Sequence, residues 1–142
     1  MSEDRISEGD AFKRHDRIRG AVLIVGVGAV GGFIAEDLAA IGISPLRLVD
    51  PDTFDVENVV RHSLRRSSLG GLKASTLAGR LHDDFPWCDA EGFDRDFLKL
   101  PTDLQRQLVE QAQVVVVAAE TEACRLRVNE LCTDAEVPAE DR

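Results

Sequence analysis

Apolar residues in this chain fall into two alternating textures, short unbroken runs and longer stretches of helical spacing, and the alternation predicts a layered α/β fold. Ala21 to Val25 is a continuous apolar run ending at Gly26, the pattern of a parallel strand covered on both faces. Val30, Phe33, Ile34, Leu38 and Ile41 follow at helical spacing, and Gly42 stands where a C-terminal cap belongs. Leu46 to Val49 is a second short run closing on Asp50, which completes a right-handed strand-helix-strand unit. A helix is expected over roughly Leu72 to His82, with Leu77 and Leu81 on one face, and a weaker strand over Trp87 to Phe93. Leu100, Leu104 and Leu108 mark an amphipathic helix entered through Pro101. Val114 to Val117 is a β-branched run suited to a central strand, and Cys124, Val128, Leu131 and Ala135 define a last helix.

These elements imply a Rossmann-like, doubly wound α/β fold with a mainly parallel sheet and helices on both faces. Residues 1–20 are polar without a sustained period and read as an arm; residues 21–142 are expected to form one α/β domain. Ligands of such sheets bind beyond the carboxyl ends of the strands, so Gly26, Asp50 and Ala118 mark the rim where chemistry is expected.

Composition narrows the class. Apolar residues at 44% and charged residues at 30% are ordinary globular usage, and no apolar run reaches the roughly 18 residues of a membrane span. The charged start lacks the apolar stretch of a signal peptide, and three cysteines without a CxxC pair suit a reducing compartment, so a cytoplasmic protein without a zinc site is expected. On the last helix Cys124 and Cys132 read as small buried residues rather than nucleophiles. A formal net charge of −9 repels phosphate backbones and argues against nucleic acid as the main partner. Against that sign, Arg61 to Arg80 holds five basic residues and no Asp or Glu.

Gly26-Val27-Gly28-Ala29-Val30-Gly31 is GxGxxG between a strand and a helix, the context in which the motif binds a nucleotide. Gly26 permits the turn, Gly28 lets a ligand approach, Gly31 lets the helix pack on the strand, and the helix amides face the ligand. Asp50, nineteen residues beyond Gly31, is placed to accept from ribose hydroxyls. These features alone fit an NAD-dependent oxidoreductase. The sequel favours a triphosphate: Asn58, Arg61 and Lys73 supply an amide donor and two cations for the charge that develops on a leaving pyrophosphate.

The strings VLIVGVGAVGG, LRLVDPDTFDVENVVRHSL and GGLKASTLAGRL together resemble the ThiF/MoeB/HesA family, which includes the ubiquitin-activating enzymes. The resemblance runs from Val22 to Pro138 and rests on D-x-D, N-x-x-R and G-x-x-K after GxGxxG. It implies an ATP-binding adenylation domain that activates the C-terminal carboxylate of a ubiquitin-like or sulfur-carrier protein or peptide, with ATP and Mg²⁺ as cofactors. By that similarity Gly28 lies against the nucleotide, Asp50 binds ribose, Asn58, Arg61 and Lys73 contact phosphates, and Asp52 supports the loop or the nucleotide. The family dimerises, as homodimer or heterodimer, and completes its site with an arginine from the partner's arm, a part open here to Arg5 or Arg14.

Past Val117 the family carries D-x-T-D-N, whose later aspartate holds Mg²⁺. Aligning on Arg125, Asn129 and Cys132 puts Glu120 at that aspartate, one methylene longer, either as the metal ligand or as a surface carboxylate at a helix start. After Pro138 the family continues with further strands, so the chain reads as a fragment or a shortened homologue, and a non-catalytic scaffold is the alternative to an enzyme.

Overall fold

The computed structural model describes residues 20–53 and 71–142. Its strands are β1 (Ala21–Val25), β2 (Leu46–Val49), β3 (Ala90–Phe93), β4 (Ala112–Val117) and β5 (Ala139–Asp141). The helices are α1 (Ala29–Ala40), α2 (Lys73–Asp84), α3 (Thr102–Glu110) and α4 (Glu122–Ala135), and a 3₁₀ turn covers Phe97–Lys99. The five strands form one sheet in the order β3-β2-β1-β4-β5, with every neighbouring pair parallel. This is the Rossmann-like architecture that the alternating pattern implies.

β1 is buried from end to end because alternate residues serve different layers. Val22 and Ile24 join Leu46, Leu48 and Val116 beneath α1 and α2, whereas Leu23 and Val25 join Val49, Val115 and Val117 beneath the 3₁₀ turn, α3 and α4. A strand with two apolar faces cannot alternate in hydropathy, which is why it reads as an unbroken run.

Three elements differ from expectation. In α1 the fully buried residues are Gly31, Gly32, Ala35 and Ala39; of the expected apolar face Ile34 and Leu38 pack partly buried against the core, while Val30, Phe33 and the following Ile41 are exposed. Small residues face inward because the helix lies close on the strands. β3 is shorter than the stretch from Trp87; Trp87 remains outside it and donates its indole N–H to the carbonyl of Ala39 at 2.8 Å. β5 was not foreseen. Its Ala-Glu-Asp sequence is wholly exposed, and only its parallel pairing with Val115, Val116 and Val117 makes it a strand.

The chain passes from β1 outward to β3 and returns to β4 on the other side of β1. The carboxyl ends of β1 and β4 therefore flank the point where strand order reverses, and connections leave that point towards opposite faces.

Candidate functional site

The turn after β1 is fixed by close backbone contact. Gly26 has φ +95°, and a Cβ there would lie 2.6 Å from the carbonyl oxygen of Ala118 beyond β4. At Gly31 a Cβ would lie 2.0 Å from the carbonyl oxygen of Gly26. Both glycines are required by the protein's own packing. Gly28 is different: a Cβ there would meet nothing within 4 Å, so its bare backbone faces open space. α1 begins directly after it, with no side-chain cap and no acidic residue in its first turn. Its first amides are left with a partial positive charge directed at the rim.

Asp50 ends β2 and is buried, with 6% exposure. Its Oδ2 accepts from the backbone N–H of Val27 at 2.8 Å, and its Oδ1 accepts from that of Asp52 at 2.8 Å. The side chain expected to face ribose thus also ties the glycine turn to the loop after β2, with lone pairs to spare on each oxygen. Burial raises its pKa and outweighs the two amide bonds; the charge of Asp52 raises it further and that of Lys73 opposes.

Lys73 opens α2 and is buried, with 8% exposure. Its backbone N–H donates to the carbonyl of Asp52 at 2.9 Å, and its Nζ lies 3.8 Å from Asp52 Oδ2. The amino end of α2 is capped from outside, since Ser75 N–H donates to Asp94 Oδ1 at 3.0 Å. The start of α2, and Lys73 with it, is therefore held at the rim by the Asp52 carbonyl on one side and the Asp94 carboxylate on the other.

A cavity of about 210 Å³ lies along the rim and is lined by Gly26, Gly28, Asp50, Asp52, Lys73 and Glu120. A second, of about 320 Å³, shares Gly28, Lys73 and Glu120 and extends past the start of α1 to Arg125 and Arg142. Glu120 is exposed on the loop between β4 and α4. Among the described residues no group of three or more His, Cys, Asp or Glu could hold a metal. Asn58 and Arg61 lie outside the described residues, as do Arg5 and Arg14.

Three charged residues at these cavities were not read as functional from the sequence. Arg125 donates its Nε–H to the carbonyl of Ala119 at 3.0 Å and pairs with Asp141 at 3.1 Å. Arg142 follows β5, its backbone N–H donating to the Val117 carbonyl at 2.8 Å. Asp96 lines the smaller cavity beside Phe97 and Cys124. Arg125 serves in the sequence only as an alignment position, and Asp96 and Arg142 fall in no motif; the helix after β4, the turn after β3 and the pairing of β5 bring them to the rim. Cys124 and Cys132 are buried, and burial, with Asp96 adding to it, pushes the Cys124 thiol up to about 11. A thiol so raised stays protonated at neutral pH and is no nucleophile.

Residues 11–140 match the model of the ThiF family. Among similar proteins, an adenylyltransferase and sulfurtransferase of Lodderomyces elongisporus is 28% identical over 112 residues, 78% of this chain and 24% of its own length. The tRNA threonylcarbamoyladenosine dehydratase of Bacillus subtilis is 41% identical over 70 residues, 48% of this chain and 27% of its own length. Among solved structures, the E. coli tRNA N6-threonylcarbamoyladenosine dehydratase in complex with ATP superposes with a TM-score of 0.78 at 23% identity, covering 96% of this chain and 61% of that one. The chain thus spans about a quarter of the length of these two sequence relatives.

Proposed function

The chain belongs to the ThiF family, and on that premise we propose that it is an adenylation domain, binding Mg·ATP and joining AMP to the C-terminal carboxylate of a ubiquitin-like or sulfur-carrier protein or a peptide. The observation that carries this reading is the meeting, on one cavity, of the uncapped amino end of α1, the bare backbone of Gly28 and the buried Lys73. An uncapped helix end and a buried cation make an anion site, and Asp50 beside them keeps acceptor capacity for ribose hydroxyls. The relative from Lodderomyces, an adenylyltransferase by name, supports the same chemistry.

In the proposed reaction a carboxylate oxygen attacks the α-phosphorus of ATP, forming the acyl-adenylate as the bond to pyrophosphate breaks. The amides of α1 and the ammonium of Lys73 offset charge that grows on the departing oxygen, an effect strongest in the transition state. Arg61 and Asn58 are proposed to share this task, and Asp52 to hold Lys73 in place. Glu120, on the border of both cavities, fits a Mg²⁺ bound through one carboxylate and the nucleotide's own oxygens, the usual mode for this ion. Bound there, Mg²⁺ would neutralise phosphate charge. A second subunit is proposed to supply the remaining arginine, in a homodimer or heterodimer.

Calorimetry with Mg·ATP tests the reading. Binding is expected to weaken about tenfold or more in Lys73→Ala, which removes a buried charge-assisted bond. Silence at millimolar ATP sinks the adenylation reading in favour of a scaffold. Tight NADH binding indifferent to Lys73→Ala would instead make the chain an oxidoreductase.

A further inference from the structure

The two cavities share their middle and differ at their ends, and the difference orders a bound nucleotide along the rim. The larger runs past the start of α1 towards Arg125 and Arg142, which suits phosphates. The smaller alone includes Val49, Asp96, Phe97, Thr121 and Cys124. Val49, Phe97 and Cys124 are buried members of one apolar cluster, so this end presents the apolar wall that a base requires.

Polar groups at that end are few. Thr121 Oγ1 already accepts from Cys124 N–H at 3.3 Å, and the Cys124 thiol is only a weak hydrogen-bonding group. Asp96 Oδ1 accepts from Leu98 N–H at 3.0 Å, which pins the carboxylate at the start of the 3₁₀ turn. No described donor meets Oδ2. A carboxylate on a half-buried residue at the cavity, fixed through one oxygen and lacking a described donor on the other, selects a ligand group that supplies one.

We infer that Asp96 reads the base of the bound nucleotide, its Oδ2 accepting from the exocyclic amine of adenine and repelling a carbonyl at the same position. This rests on the nucleotide-binding reading above and extends it to the choice of purine. Adenine and hypoxanthine have nearly the same shape, but N6 donates where O6 presents only lone pairs. A site that holds an acceptor there gains a hydrogen bond with the first and faces two acceptors with the second.

Binding of ATP and of inosine triphosphate to the full chain, each with Mg²⁺ and read by calorimetry, tests the assignment. The wild-type chain is expected to favour ATP by roughly tenfold or more. In Asp96→Asn the amide oxygen can still accept from Leu98 N–H, so the amide nitrogen replaces Oδ2 and presents a donor. The preference should then invert towards inosine triphosphate. In Asp96→Ala the two nucleotides should bind within about threefold of each other, since neither finds a partner. Equal binding by the wild type, or an unchanged ratio in Asp96→Asn, overturns the role of Asp96 while leaving nucleotide binding intact. Binding of neither nucleotide by the wild type removes the nucleotide reading and this inference with it. Should Asp96→Asn fail to fold, the wild-type ratio alone decides.

Discussion

The loops after β1 and β4 touch across the reversal of strand order, yet they are built by opposite means. The first is shaped by missing side chains: Gly26 and Gly31 are the residues whose added Cβ would strike Ala118 and Gly26. The second, Ala118-Ala119-Glu120-Thr121, is held by side chains, Arg125 reaching back to the Ala119 carbonyl and Thr121 capping α4. Where the backbone itself is the contact surface, each residue type is dictated. Where a neighbour's side chain does the holding, the loop's own residues can change, which is consistent with the expectation that Glu120 replaces an aspartate of the resembled family.

The sharpest way to break that contrast is Gly26→Ala. The new methyl must escape a 2.6 Å contact with Ala118 at a φ of +95°. Strain and overpacking together should cost about 3 kcal/mol or more, seen as a fall in Tm of about 10 °C. A loss below about 1 kcal/mol would mean that the two loops can separate freely, and the account of the turn would be wrong.

The second loop should be less sensitive. Arg125→Ala removes a bond from a charged donor to the Ala119 carbonyl, while its ion pair with the half-exposed Asp141 adds little. About 1–2 kcal/mol is expected by denaturant unfolding. Arg125→Lys should recover only part of it, because an ammonium cannot reproduce the guanidinium fork. A cost equal to that of Gly26→Ala would erase the distinction between the loops.

The same contrast explains what was legible in the sequence. β1 announced itself because both its faces are buried, and the glycine turn because its geometry admits so few residues. Gly28, Asp50, Asp52, Lys73 and Glu120 were all anticipated, and the structure brings them to one cavity. β5 left no trace, since Ala139, Glu140 and Asp141 are exposed and their pairing with β4 is decided by the rest of the fold. Asp96 was hidden for a related reason. Cys124, which shares its cavity, meets it only after β3 and β4 are in place. Small inward residues concealed part of the buried face of α1, because a close-packed helix contacts the sheet through Gly31, Gly32, Ala35 and Ala39, with Ile34 and Leu38 packed at its side and Val30 and Phe33 left outside.

Asp50, which anchors the first loop to the strand beside it, should leave a pH signature. Its folded pKa is raised above its ordinary value of 3.8, burial being the main cause. Below that value the carboxyl is protonated in both states and burial imposes no charge penalty. As pH rises through the raised folded value, charge is forced into the buried site, so this group subtracts stability. Asp50→Asn loses an acceptor for one of the two amides and should be less stable in absolute terms. Relative to wild type, however, its stability should improve as pH rises through the acidic range. A gap that is flat or widens over that range would place the Asp50 charge in a better environment than its burial implies.

Gly28→Ala should produce the smallest change in stability and the most direct test of why a glycine stands there. With nothing within 4 Å of the new methyl, the folded chain has no clash to relieve. Gly28 is also outside the positive-φ set, so alanine can adopt its conformation, and unfolding free energy should stay within about 0.5 kcal/mol of wild type. The methyl would nonetheless stand in the space shared by both cavities, before the uncapped end of α1. Affinity for ATP should therefore fall by about tenfold, since a bound phosphate must approach that backbone closely. Gly26 and Gly31 belong to the protein's own packing, whereas on the proposed reading Gly28 serves the ligand's. Unchanged stability with unchanged ATP affinity would show that Gly28 faces plain solvent, and the rim would lose its phosphate site.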